Sequence, residues 1–197
     1  GAVLAIGGAN SAEYAQSSQM IGVGNKLTGV SGAVSKYNLL DGYKNTAANV
    51  SHVTVIGSEN EVKNTDGALV FGDNRKLDKA NNSIVLGSAD GGMDLKISDA
   101  VVIGHNANVE KDMGMALGAS SYVKANRGVA LGALSVADTE AGKAGYDPST
   151  GAASTDASFA WRSTLGAVSV GSAGDSLTRQ ITGVAAGTED TDAVNVA

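Results

Sequence analysis

The sequence predicts an all-β chain wound as a solenoid of 14-15-residue repeats, and three observations carry that expectation. Glycine fills 27 of 197 positions against a single proline and eight aromatics, which disfavours helices because an interior glycine costs up to about 1 kcal/mol. Hydrophobic residues make up 43% and charged residues 17%, a balance too apolar for a disordered chain. A short pattern of two to four apolar residues, a glycine and a polar stretch recurs along most of the length, as repeat architectures require.

The aligned glycines are Gly7, Gly22, Gly42, Gly57, Gly72, Gly87, Gly104, Gly118 and Gly132, with insertions near residues 28 to 37 and 88 to 94. Two residues before each stands an apolar residue: Ala5, Met20, Leu40, Val55, Val70, Val85, Val102, Ala116 and Ala130. The residue just before the glycine is Ile, Leu or Phe except at Asp41. A second apolar series follows at Ala12, Leu27, Ala47, Val62, Leu77, Leu95, Val109, Val123 and Ala137. Each repeat therefore reads as two short strands forming one rung of a two-sided coil, with a glycine that permits φ > 0 at the corner. Stacked rungs pair edge to edge about 4.8 Å apart, and like residues then form columns. The period fits neither the six-residue nor the nine-residue solenoids, and a rung this thin buries little area, so oligomerisation is expected.

Beyond Asp138 the period breaks. Residues 138-166 read as an irregular insertion with a turn at Tyr146-Asp147-Pro148-Ser149. The only tryptophan, Trp161, precedes Val168-Ser169-Val170-Gly171 and then Arg179-Gln180-Ile181-Thr182.

Chemistry-bearing residues are sparse. Cysteine is absent, so no disulfide or thiolate site exists, and a net charge of −6 repels nucleic acid and anionic lipid. No apolar run is long enough for a membrane helix. His52 and His105 are too far apart in sequence to suggest a shared metal site, and Asp90 with Asp94 supplies too few ligands for calcium. Glu59, Glu61, Asp73 and Asp78 read as a solvated face rather than hydrolytic carboxylates. Lys26, Lys44, Lys63, Arg75, Lys76, Lys79, Lys111 and Lys124 follow the repeat glycines and are expected to line a mixed-charge stripe that protects sheet edges. No catalytic residue, metal ligand or cofactor is expected. The candidates for a bespoke recognition loop are Tyr37, Tyr43 and Lys44, which flank the irregular segment at 28 to 41.

The residues from Ala167 to Val196 resemble the neck of YadA-like trimeric autotransporter adhesins, in which Val-Ser-Val-Gly, Arg-Gln-Ile-Thr-Asn-Val-Ala-Ala-Gly and Asp-Thr-Asp-Ala-Val-Asn-Val runs occur in this order. The upstream repeats are similar to that family's head repeats, most closely at Asn82-Ser83-Ile84-Val85-Leu86-Gly87. Gly183 stands where the family usually has Asn. The resemblance implies a left-handed parallel β-roll (β-solenoid), homotrimeric, ending in a neck that leads toward a coiled coil. It divides the chain into head repeats at 1-137, the insertion at 138-166 and a neck at 167-197, with Trp161, Arg179, Gln180, Asp190 and Asp192 as neck residues. Asp190 and Asp192 suit the acidic start of a helix. The implied function is a non-enzymatic adhesin head of a Gram-negative cell surface, held to the outer membrane by a stalk and anchor outside this fragment. Its partners would be host matrix, an epithelial receptor or another bacterium, with no membrane contact by the fragment itself. The competing reading is a trimeric carbohydrate-binding or carbohydrate-cleaving solenoid of tailspike type, which needs clustered carboxylates and aromatics that the sequence does not supply.

Overall fold

The computed structural model describes residues 1-91, 94-189 and 191-193. Among them there is no helix, and strand follows strand around a parallel coil of about nine rungs. One strand from each rung joins a ten-stranded parallel sheet that runs from Val3–Gly8 to Val168–Ser169. The apolar residues two before each glycine lie in exact register: Ala5 against Met20, then Leu40, Val55, Val70, Val85, Val102, Ala116 and Ala130. The second series forms the opposite wall, Ala12 through Leu95 in a six-stranded sheet and Val109 through Ala137 in a three-stranded one. These two columns face each other and constitute the core, and only Ala5 and Ala12, on the first rung, remain exposed.

The glycines are required for two reasons. Their φ values run from 102° at Gly132 to 149° at Gly72, a region that side chains rarely tolerate. They also stack directly on one another: a Cβ at Gly42 would sit 1.9 Å from the carbonyl oxygen of Gly57.

The cross-section has three sides, not the two expected. A short third side is marked by pairing of Ala15–Gln16 with Ser35–Lys36 and by bridges from Lys36 to Ser51 and Ser51 to Asp66. It exists because each rung turns at further left-handed corners, occupied by non-glycine residues such as Asn49, His52, Asn64, Asn82 and Asp99 with φ between 49° and 55°. Val50, Val53, Ala68, Ala80, Ile97 and Ala100 pack inward from this side.

At the corner after Gly22, Gly42 and Gly57, an asparagine is buried where the sequence suggests only a polar linker. Asn25, Asn45 and Asn60 are 0 to 1% exposed. Each side-chain oxygen accepts the backbone amide of the equivalent residue one rung on, and each amide nitrogen donates to the next rung's glycine carbonyl, as in Asn45 Nδ2 to Gly57 O at 2.7 Å. Inside the roll such satisfied polar groups cost little, while an orphaned one would cost about 1 to 3 kcal/mol.

The ladder ends at Arg75, and here the expected surface stripe is corrected. Arg75 is 1% exposed. Its Nε donates to Gly87 O at 2.6 Å, Nη2 to Gly104 O at 2.7 Å and Nη1 to Ala107 O at 2.9 Å. The side chain spans two rungs because their equivalent inward residues, Ala89 and Ala107, carry no donor. Burial lowers its pKa below the usual arginine value.

After Ala137 the chain leaves the roll, forms an antiparallel pair between Tyr146–Asp147 and Ala152–Ala153, and returns at Val168–Ser169 onto Val129–Leu131. Trp161 packs beneath Gly145, whose amide donates to the Trp161 carbonyl at 2.7 Å. Arg179 then closes the final corner, donating to Ser135 Oγ at 2.9 Å and to the carbonyls of Val170 and Ala133. Asp192 accepts the amides of Thr188 and Glu189, an arrangement that lowers its pKa, but no helix follows within the described residues. Asp190 and residues 194-197, which belong to the expected helix start, lie outside the described residues.

Candidate interaction surfaces

Strand alternation gives the roll two outer faces of opposite character. On the ten-stranded sheet, the residues three before and one before each glycine point outward: Leu4 and Ile6, Leu69 and Phe71, Ile84 and Leu86, Val101 and Ile103, Met115 and Leu117, Val129 and Leu131. Many stand open to solvent, Phe71 at 56% and Leu4 at 52%. A stripe of this kind along ten strands, roughly 45 Å at the usual strand spacing, far exceeds the scattered apolar exposure normal for a monomer.

The opposite face is charged. Register sets Glu61 against Lys76 and Lys76 against Asp94, while Lys63 lies against Asp78. Neighbouring rungs therefore present opposite signs, which favours pairing. Glu61 and Lys63 also form an ion pair along one strand, and that carboxylate raises the Lys63 pKa. A shallow hollow of about 160 Å³ is edged by Glu61, Lys63, Lys76, Asp78, Asp94 and Lys96. Of the residues expected to line a mixed-charge stripe, Lys63 and Lys76 lie on this patch, while Lys44 and Lys79 occupy left-handed corners.

The recognition candidates are split. Tyr37 sits before the strand Leu39–Tyr43, and Tyr43 with Lys44 at its far end. Tyr37 and His52 occupy equivalent left-handed corners of successive rungs, so their rings stack at the rung spacing, 5.1 Å between centroids. His52 Nδ1 lies 3.0 Å from Asp66 Oδ1, and Lys36 Nζ lies 5.6 Å from the Tyr37 ring centre. Beside them the five-residue excursion at 30-34 edges a hollow of about 410 Å³, together with Lys36, Asn49 and Ser51. At the other end, Lys44 Nζ lies 4.9 Å from the Tyr43 ring centre, and a side-chain hydrogen bond with Tyr43 raises the Lys44 pKa.

The two histidines do not meet. His52 pairs with Asp66 and His105 with Asp90. Hydrogen bonding from Asn106 lowers the Asp90 pKa, with His105 adding to it. Gly92 and Met93, in the loop between Asp90 and Asp94, lie outside the described residues. Among the described residues no three His, Asp or Glu side chains gather as a metal would need. No helix of the described residues is long and apolar enough to cross a membrane.

Sequence reasoning missed the asparagine ladder, though its signal was present: asparagine stands three residues after Gly7, Gly22, Gly42 and Gly57.

Comparison with known proteins bears on these surfaces. Residues 180–197 match the family model described as the coiled stalk of trimeric autotransporter adhesin. The chain is 68% identical over 63 residues, 32% of its length, to the autotransporter adhesin BadA of Bartonella henselae. It is 52% identical over 64 residues, again 32%, to the trimeric autotransporter adhesin AtaA of Acinetobacter sp. (strain Tol 5). It spans about 2% of the length of either relative. In the stretch matching the stalk model and in the third of its length shared with both relatives, the chain is similar to trimeric autotransporter adhesins.

Proposed function

We propose that the chain is an adhesin head that assembles as a parallel homotrimer and attaches a Gram-negative cell to host matrix, an epithelial receptor or another bacterium by multivalent, non-catalytic binding. The observation that carries this reading is the apolar outer face of the ten-stranded sheet, which needs a partner of the same length and character; a second and third copy of the chain supply it. Three such sheets facing a common axis leave the charged faces outward. Residues 1-137 serve as the head roll, 138-166 as an insertion beneath it, and 167-197 as a neck passing into a stalk that reaches the outer membrane. The relatives, both named as adhesins, support the attachment role.

With no deep pocket encoded, single contacts should be modest and attachment should come from repetition. A tethered second contact acts at up to about millimolar effective concentration and raises avidity by roughly 10² to 10⁴. Light scattering should give three times the 19.5 kDa chain mass. The trimer should bind immobilised, dense fibronectin, collagen or glycan far more firmly than soluble monovalent forms of the same molecules. Tight, equal binding of a monovalent form by trimer and by an assembly-deficient variant would place a self-contained pocket in one chain and overturn the proposal.

A further inference from the structure

The apolar outer face carries one charged residue among its outward positions. Asp41 points outward from Leu39–Tyr43, in register between Ile21 and Ile56. Its carboxylate is half-buried and has no hydrogen-bond or ion-pair partner among the described residues. Gln19 and Thr54, the outward residues three before Gly22 and Gly57, lie one rung above and one rung below, each paired with Leu39. The three polar residues thus form a single band across a face that is otherwise largely aliphatic. The column residue beside Asp41, Leu40, is fully buried, so the strand keeps its register despite the substitution.

We infer that this band fixes the register in which three copies of the chain associate, and the inference rests on the trimeric reading above. A repetitive apolar face specifies alignment weakly, because a slip of one rung sets apolar side chains against apolar side chains again. Asp41 breaks the degeneracy. In the aligned trimer the three carboxylates fall at one height, with three Gln19 amides and three Thr54 hydroxyls on the adjoining rungs. These groups give water enough polar partners to occupy the layer, and the desolvation penalty is confined to one place. A slip of one rung scatters the carboxylates over separate layers, each set against Ile21 or Ile56 of a neighbour with at most the Gln19 amide or Thr54 hydroxyl of that rung to donate, so the desolvation penalty is no longer confined to one shared layer. The device costs stability and gains specificity, as a lone polar residue does in an apolar helical seam.

The test compares the native chain with Asp41→Val and Asp41→Asn by sedimentation, thermal melting and methyl NMR of isoleucine. A three-fold aligned trimer makes its chains equivalent, so Ile21, Ile56 and Ile103 should each give one methyl peak in the native protein and in Asp41→Asn. Asp41→Val should melt several degrees higher than the native trimer yet split these peaks, because slipped chains are inequivalent. Single peaks in Asp41→Val, or a lower melting temperature than native, would overturn the register role. Native melting that falls on adding a chelator, in a way Asp41→Val does not share, would overturn it in favour of a bound cation. A native chain that sediments as a monomer would instead remove the trimeric reading itself, a failure that sedimentation separates from the others.

Discussion

The two outer faces of the roll are built by the same rung, yet one is apolar and the other charged. Phe71 and Ile103 project from one sheet, Lys63 and Asp78 from the other, and the core columns Val70 and Val62 stand between them. Both sheets are parallel, in register and closed by the same glycines, so backbone geometry does not distinguish them. Side-chain chemistry at the outward positions alone decides which face seeks a partner and which seeks water. A fold of this type can therefore change what it binds by altering one outward column without disturbing the core.

The most severe way to break the contrast is to damage what both faces share. Val102→Asp places a carboxylate in a fully buried column and should cost several kcal/mol, unfolding the roll. One residue along, Ile103→Asp falls on the outward apolar face and should leave strongly β circular dichroism while abolishing assembly. Equal unfolding by both would show that the faces do not behave independently.

A smaller but still large effect is expected at the corner joining the faces. Arg75→Met leaves the carbonyls of Gly87 and Ala107 without a donor and that of Gly104 with only the Ala107 amide, and should cost about 3 kcal/mol or more in urea unfolding. Arg75→Lys should not restore it, because one ammonium cannot reproduce the planar fork that reaches all three. Full rescue by lysine would mean that charge, not geometry, is what the corner needs.

The smallest effect belongs to the charged face. Lys63→Glu should barely move the urea unfolding midpoint, as exposed ion pairs contribute little, and the change should shrink as salt is raised. Assembly measured by sedimentation should be untouched. Loss of the trimer in this variant would mean that the charged face, not the apolar one, is buried between chains.

How legible the molecule was depends on how local each feature is. The strand columns could be read because alternation and a 14 to 15 residue period repeat the same instruction many times. Asp41, an interruption by pattern, keeps its register because Leu40 and Gly42 on either side still satisfy the core and the corner. The recognition candidates fared differently: Tyr37 and Tyr43 are six residues apart in sequence but lie at opposite ends of one strand, so proximity along the chain gave no proximity in space. The stack of Tyr37 on His52 is invisible without knowing that both occupy the same corner of successive rungs.

By itself the sequence determined the solenoid, the two core columns, the glycine corners and the scarcity of catalytic groups, since each follows from residue type at a fixed period. Only the tertiary structure decided that Arg75 is a core residue. Its neighbours in sequence, Asn74 and Lys76, read as a polar corner, and the partners that draw it inward lie 12 to 32 residues further on. Likewise the third side of the coil arises from left-handed corners at residues such as Asn64 and His52, types that tolerate φ > 0 better than most but that also serve in ordinary turns, so only the stacking of adjacent rungs shows them to be corners.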